Sequence, residues 1–266
     1  MKKSSKKIAI IGCGNMGGGI AQRLSKTHQL FLYDKSLEKA SALEKGGYGK
    51  ACGSLKEALK NSDILILAIK PQSIKEFARS LQQSNLKHTV VSILSGTTLD
   101  QLKKYFPGQK IIRLMPNMAV ISGESTIGLC TDAALSKAEI SDFNALFETL
   151  GKITWLTEDK FNAYTALTGS GIAFIFALVE AMVESGIAMG FNAKESQELV
   201  EQTIRGGLSL LEYTEEHPAA LKWKVTSPAG TTIAGLRKFE EFGVRAGILN
   251  TFLGAYDRAI EQSKQS

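Results

Sequence analysis

Apolar residues in the first half of the chain fall in short runs separated by stretches of helical spacing. Ile64–Ile69 is nearly continuous in apolar character, as expected of a strand covered on both faces; Thr89–Leu94 reads as another buried strand and Ile111–Met115 as a strand. Lys7–Ile11, Gln29–Tyr33 and a short run near Tyr48–Cys52 precede them, and Thr126–Leu129 and Ile153–Leu156 follow. Between these runs, Gly18–Ser25, Leu37–Leu43, Ser54–Lys60, Ser73–Gln82, Leu99–Tyr105 and Lys137–Leu150 carry the helical period. Ser54, with Glu57 three residues later, has the form of a capping box. Strands alternating with helices build parallel β-α-β units with right-handed crossovers. Residues 1–157 are therefore expected to form a doubly wound parallel sheet.

From Asp159 the pattern changes. Strand signals fade, and Ala163–Met189, Ala193–Tyr213, Pro218–Val225 and Thr231–Lys264 read as helices. Phe174, Leu178, Val179, Met182, Val183 and Ile187 recur at helical spacing, with apolar residues spread around much of the circumference. Such a helix must be covered on most sides, and a helical segment of this length covers such faces only in part. Residues 158–266 are therefore expected to pack against another copy of the chain.

Composition adds limits. The 266 residues, 44% apolar and 22% charged, are ordinary for a soluble globular protein and suffice for two domains. Cys13, Cys52 and Cys130 make no CxxC or CxxH spacing, which argues against a disulfide framework or a zinc site and for a reducing, cytoplasmic setting. The basic residues of Met1–Lys7 precede an apolar run, Ile8–Ile11, that meets a glycine at once, unlike a signal peptide. Ile172–Val179 is followed by Glu180 and Glu184, so no membrane span is expected. Net charge is +6, but residues 1–157 hold 22 Lys and Arg against 12 Asp and Glu, while residues 158–266 hold 10 against 14. A basic first half suits a phosphate-bearing cofactor or nucleic acid; equally, four of its lysines lie in the first seven residues, as in a solvated tail. No aromatic interleaving or reading motif supports nucleic acid.

The densest chemistry lies at Gly12-Cys13-Gly14-Asn15-Met16-Gly17, a GxGxxG turn between a strand and a helix, with Asp34 after the next strand. The first glycine permits a tight turn, the second lets backbone approach a pyrophosphate, and the third lets helix pack on strand. Helix-start amides and the helix dipole then hold the phosphates. FAD is a rival ligand, but the chain is short for a flavoenzyme and has no second nucleotide segment. Asp34 favours the ribose hydroxyl of NAD, whereas Lys35 and Ser36 can take the extra phosphate of NADP, so NADPH and NADH both stay open. Ligands of open sheets lie beyond the carboxyl ends of the strands. This adds Ile11, Ala68, Ile69, Lys70, Pro71, Ser95, Met115, Pro116 and Asn117 to the expected cofactor site. Lys70 and Asn117 also read as a solvated lysine and a turn residue.

Several segments together resemble the pyrroline-5-carboxylate reductase family: Ile10–Gly17, Ala68–Gln72, Arg113–Asn117, Leu167-Thr168-Gly169-Ser170-Gly171, His217-Pro218 and Val225-Thr226-Ser227-Pro228-Ala229-Gly230-Thr231-Thr232. The last, in this order after a glycine turn, is far more specific than GxGxxG. The resemblance runs from Ile8 to about Ser263. It implies a Rossmann-like domain followed by an all-α dimerisation domain that interlocks two subunits, NADPH or NADH as cofactor, and reduction of 1-pyrroline-5-carboxylate to L-proline. It also implies that Ser227–Thr232 completes the partner's site and that dimers join into larger rings. Three positions depart from the family pattern: Met118-Ala119 replace Thr-Pro, Ile172 replaces Pro, and Ala229 replaces Gly. If Ala229 takes a positive φ, it is strained where glycine is not.

The implied reaction needs orientation more than side-chain chemistry. Ser227, Gly230, Thr231 and Thr232 open a helix, where amides and hydroxyls can bind the substrate carboxylate or serve only as a plain cap. Thr232 is the expected hydrogen-bond partner near the imine nitrogen. His28, His88 and His217 occupy separate contexts and form no catalytic set; His217 is expected to cap or pack before Pro218. Two other functions compete. A β-hydroxyacid dehydrogenase would carry a lysine in the first long helix of the second half, and residues 165–190 contain none. A non-catalytic dinucleotide sensor would keep the glycine turn without turnover.

Overall fold

A computed structural model describes residues 5–81 and 86–265. The first strands and helices, in chain order, are β1 (Lys7–Ile11), α1 (Asn15–Leu24), β2 (Gln29–Tyr33), α2 (Leu37–Lys45), β3 (Lys50–Ala51), α3 (Leu55–Lys60), β4 (Ile64–Leu67) and α4 (Ile74–Ser80). They continue with β5 (Thr89–Ser92), α5 (Leu99–Tyr105), β6 (Ile111–Met115), β7 (Ser125–Cys130), α6 (Lys137–Phe147) and β8 (Gly151–Trp155). The remainder is helical: α7 (Phe161–Tyr164), a π-helical turn (Thr165–Ser170), α8 (Gly171–Ala188), α9 (Ala193–Thr214), α10 (Pro218–Lys224), α11 (Thr231–Glu241) and α12 (Val244–Gln265). The helix expected over Ser73–Gln82 reaches Ser80; Gln82 lies outside the described residues.

The eight strands form one sheet in the order β3-β2-β1-β4-β5-β6-β7-β8. β1 to β6 are mutually parallel, as expected of doubly wound units. The doubly wound parallel sheet expected here holds except at its last two strands. β7 runs antiparallel to β6, and β8 runs parallel to β7. The physical reason is the connection: only a short 3-10 turn, Met118–Ile121, lies between β6 and β7, too little chain for a parallel crossover. Ile8, Ile10, Leu65, Ile66, Leu67, Val90 and Val91 are essentially inaccessible to solvent, and their alternating faces feed two apolar layers, one on each side of the sheet.

Helix starts follow local chemistry. Ser54 accepts from the Glu57 amide at 3.2 Å, while the Glu57 carboxylate reaches the Gly53 amide at 3.1 Å, one residue before the position a capping box uses. Thr98 with Gln101, Ser136 with Glu139 and Asn192 with Glu195 form complete boxes. The helix expected over Thr231–Lys264 is two helices. Gly243, at φ 65°, breaks it.

One charge sits inside the sheet. Arg113, in the apolar run of β6, has a side chain only 3% exposed. Its Nη1 donates to Glu158 Oε1 at 2.7 Å, and its guanidinium lies 3.9 Å from the Phe161 ring centroid. Burial pulls the Arg113 pKa down, and Glu158 pulls it back up. Glu158 Oε1 also accepts from the Leu99 amide at 3.1 Å, and Oε2 accepts from Cys130 Sγ at 3.3 Å. Glu158 therefore joins α5, β6 and β7 at the threshold of α7.

The described chain forms two compact units: residues up to Ile172 with those from Ala255 onward, and Ala173–Gly254. Within the second unit Phe174 and Phe252 meet edge to face at 5.1 Å, yet many large apolar side chains stay open. Phe176 is 63% exposed, and Leu199, Leu208, Leu249 and Leu253 are more than half exposed. The expectation that no segment has the length and apolarity of a membrane span is corrected here. The helical stretch Glu158–Ala188 meets that test by length and composition, with mean hydropathy 1.9 over an 18-residue window within it. The sequence pattern breaks it at Glu180 and Glu184, but the backbone runs on without interruption.

Removing the Glu158 carboxylate leaves the Arg113 charge buried and unpaired. Glu158→Ala is expected to destabilise the protein by about 3 kcal/mol in urea titration, and Glu158→Gln, which keeps an acceptor, by clearly less.

Candidate functional site

The carboxyl ends of β2, β1, β4, β5 and β6 lie side by side, because those strands are neighbours in register. Tyr33 pairs with Ile11, Ile11 with Leu67, Leu67 with Ser92, and Ser92 with Arg113. The segments following β1, β4, β5 and β6 carry the residues expected to hold a cofactor.

Each glycine of the first turn meets the demand its position makes. Gly12 has φ 102°, and a Cβ there would strike the Ala68 carbonyl. A Cβ on Gly17 would strike the Gly12 carbonyl, so only glycine lets α1 approach this closely. Gly14 has open space within 4 Å of where a Cβ would stand. It is the N-cap of α1, with no side chain capping the helix and no acid in its first turn. The first-turn amides of a helix have no intrahelical acceptor, and the helix dipole adds positive potential at this end. This cradle fits a pyrophosphate. Asn15 is exposed and Met16 half-buried beside it.

Asp34 secures the turn from the next strand. Its Oδ2 accepts from the Cys13 amide at 2.7 Å and its Oδ1 from the Ser36 amide at 2.9 Å. Lys35 is exposed and pairs with Glu76 at 2.9 Å. The Cys13 thiol is pushed up to about 12, first by burial and then by the Asp34 charge. It therefore stays protonated and adds no negative charge beside the phosphate cradle.

Farther along the edge, Ala68 and Ile69 are half-buried behind β4. Lys70 is exposed and starts the 3-10 turn Pro71–Ser73. Ser95 is half-buried after β5. Met115, Pro116 and Asn117 are buried at the end of β6. Sequence reasoning missed two features of this edge: the Glu158 junction and the π-helical turn joined to Asn117. Arg113 within an otherwise apolar strand was the available signal for the first. Nothing in the apolar periodicity marks the second.

The Ser227–Thr232 loop lies in the second unit. Ser227 accepts from the Gly230 amide at 3.2 Å through its carbonyl, closing a turn. Gly230 is the N-cap of α11, again with no capping side chain and no acid in the first turn, so the first-turn amides of Thr231 and Thr232 lack an intrahelical acceptor. Thr231 is exposed and Thr232 half-buried. Ala229 does adopt a positive φ, 56°, a conformation that costs a residue with a Cβ about 1–2 kcal/mol. His217 caps α10, its Nδ1 accepting from the Ala219 amide at 3.2 Å.

A mostly parallel sheet with a glycine turn at its first strand, followed by a helical region, defines a Rossmann-type dinucleotide-binding protein. A pyrroline-5-carboxylate reductase from Synechocystis sp. is 33% identical over 266 residues, covering 98% of this chain and 100% of that protein. The chain belongs to the pyrroline-5-carboxylate reductase family. Residues 158–262 match the family model described as pyrroline-5-carboxylate reductase dimerisation, and residues 7–96 match that described as NADP oxidoreductase, coenzyme F420-dependent. A crystal structure of 1-pyrroline-5-carboxylate reductase from Streptococcus pyogenes superimposes with TM-score 0.88 at 29% identity, covering 96% of this chain and 98% of that one. A Plasmodium falciparum pyrroline carboxylate reductase, crystallised with NADP bound, shares the fold at TM-score 0.88 and 23% identity, covering 97% of this chain and 98% of that one.

Gly17→Ala forces the Gly12 carbonyl and α1 apart. It is expected to destabilise the protein by roughly 2 kcal/mol or more in urea titration and to abolish dinucleotide binding followed by fluorescence.

Proposed function

We propose that this chain reduces 1-pyrroline-5-carboxylate to L-proline, oxidising NADPH or NADH. The observation that carries this reading is the pair of uncapped helix starts, at Gly14 and Gly230, within a chain of this family. Each is suited to one anion: the cofactor pyrophosphate at the first and the substrate carboxylate at the second.

The cofactor supplies a hydride from its nicotinamide ring to the carbon of the C=N bond, while the nitrogen ends protonated. The chain's own residues bind and orient. Ile11, Gly12, Cys13, Gly14, Asn15, Met16 and Gly17 surround the pyrophosphate, and Asp34 and Lys35 meet the adenosine ribose. Ala68, Ile69, Lys70, Pro71 and Ser95 line the cofactor's path, and Met115 and Pro116 flank the nicotinamide, with Asn117, its side-chain polar groups turned inward, behind them. Ser227, Gly230, Thr231 and Thr232 hold the carboxylate. Thr232 is the one side chain assigned a hydrogen bond near the imine nitrogen, where it stabilises the protonated form that accepts hydride. Residues 1–157 serve as the dinucleotide-binding domain and residues 158–266 as the substrate-binding and dimerisation domain. Three free, buried cysteines support a reducing, cytoplasmic setting.

Loss of absorbance at the reduced-cofactor band is expected when 1-pyrroline-5-carboxylate is added with NADPH or NADH. Cofactor binding without consumption of either would support a dinucleotide sensor instead. Thr232→Ala is expected to lower kcat by about 100-fold while cofactor affinity holds; near-normal steady-state kinetics would remove Thr232 from its role.

The exposed apolar side chains of α8 and α9, read with the dimerisation match, support a homodimer or a larger homo-oligomer rather than a membrane-inserted helix. Light scattering is expected to give a mass at least twice 28.8 kDa, and Phe176→Asp to reduce it. A wild-type monomer at micromolar concentration would overturn this assembly.

A further inference from the structure

Asn117 ends the β6 segment with every polar group of its side chain turned inward. It is 9% exposed. Its Nδ2 donates to the Thr168 carbonyl at 3.1 Å, across 51 residues of sequence. Its Oδ1 accepts from the Ala119 amide at 3.0 Å and caps the 3-10 turn Met118–Ile121. Its own amide donates to Ser125 Oγ at 2.9 Å. Three directions are thereby tied to one residue.

The partner of Nδ2 is unusual backbone. Thr165–Ser170 winds as a π-helix between α7 and α8, and such wide turns inside α-helices recur at functional sites. Two threonines bind back into the preceding turn: Thr165 Oγ1 donates to the Phe161 carbonyl at 2.8 Å, and Thr168 Oγ1 to the Tyr164 carbonyl at 2.9 Å. Such back-bonding bends helices. Met115 Sδ lies 3.9 Å from where a Cβ on Gly169 would stand. The end of β6 and the Gly169-Ser170-Gly171 segment are thus in contact, with the Asn117–Thr168 bond beside that contact. On its other side, the 3-10 turn rests on α1, where Val120 and Ile121 crowd the space above Gly19.

We propose that Asn117 is a positioning residue for hydride transfer, fastening the turn after β6 to the π-helical segment so that Met115, Pro116 and Gly169 keep one fixed spacing. This rests on the reductase reading above. A donor and acceptor displaced by about 1 Å lose roughly 100-fold in rate, so a single staple at this edge acts on turnover rather than on affinity. Asparagine suits the task because it supplies a donor and an acceptor from one short planar group. Aspartate keeps the acceptor for Ala119 but sets a carboxylate oxygen against the Thr168 carbonyl. Serine keeps an acceptor for Ala119 but is too short to reach Thr168.

Two measurements on Asn117→Asp and Asn117→Ser test this. Amide hydrogen exchange reads the staple without any turnover. Exchange over residues 165–171 is expected to quicken about 10-fold or more while β1 and β2 keep their protection. Unchanged exchange in the folded variants would overturn the staple. Steady-state kinetics with reduced cofactor deuterated at nicotinamide C4 reads the positioning. A fall in kcat of about 10- to 100-fold, an increased deuterium isotope effect and an unchanged cofactor Kd are expected. A cofactor Kd that weakens in step with kcat, with the isotope effect unchanged, would make Asn117 a cofactor contact and overturn the positioning role. Cofactor binding without reduction in the wild-type protein would refute the reductase reading and with it the positioning role, while the exchange result would still decide whether the staple exists.

Discussion

An arginine in the middle of an apolar strand must be paired, because an isolated buried charge is too costly to keep. Arg113 obeys this through Glu158, and the pairing reaches well beyond the two side chains. Glu158 also takes the Leu99 amide and the Cys130 thiol, so one carboxylate unites the start of α5, the centre of β6 and the end of β7. The guanidinium rests on Phe161, the first residue of α7. The place where the sheet ends and the helices begin is therefore fixed electrostatically as well as by apolar packing. β6 carries this pair at Arg113 and the site residues Met115–Asn117 directly after it. The pair therefore sets where the turn after β6 begins.

Much of this arrangement is legible in the sequence for definite reasons. Ile64–Leu67 is covered on both faces, so its apolar character is continuous, and Ile111–Met115 is apolar but for Arg113. Gly12 and Gly17 stand where backbone carbonyls leave no room for a Cβ, and the spacing of the motif records that. Other features leave no such trace. The direction of β7 depends on the shortness of the link after β6, not on which residues of β7 are apolar. The break at Gly243 interrupts a helical period that otherwise continues on both sides. The π-helical turn carries hydroxyl-to-carbonyl bonds of Thr165 and Thr168 and a bond from a side chain 51 residues away, none of which alters periodicity. Arg113 announces that a carboxylate must be near, but its partner lies 45 residues on and only the tertiary fold selects it.

The helix Glu158–Ala188 illustrates an ambiguity of composition. Length and apolarity are the same requirement for a membrane span and for a helix gripped by protein on most sides. Glu180 and Glu184 are both exposed on it, and it sits among helices that match a dimerisation model from residue 158 onward. A second copy of the chain accounts for its apolar surface, whereas hydrocarbon would have to solvate both carboxylates.

The two glycine-capped helix starts carry the functional argument to its last step. Five helices of this chain are closed by a side chain: Ser54, Thr98, Ser136, Asn192 and His217 each accept from the first turn; α2 and α4, whose N-cap serines make no such bond, carry an acid in the first turn. Gly14 and Gly230 cannot, and neither α1 nor α11 places an acid in its first turn to compensate. Leaving these amides unsatisfied is unfavourable unless water or an anion takes them. Both starts also tolerate local difficulty, a carbonyl against Gly17 at the first and a strained Ala229 at the second. Two glycine-capped starts with neither a capping side chain nor an acid in the first turn, each beside crowded or strained backbone, suit an anionic ligand as the missing cap: phosphate at one and carboxylate at the other.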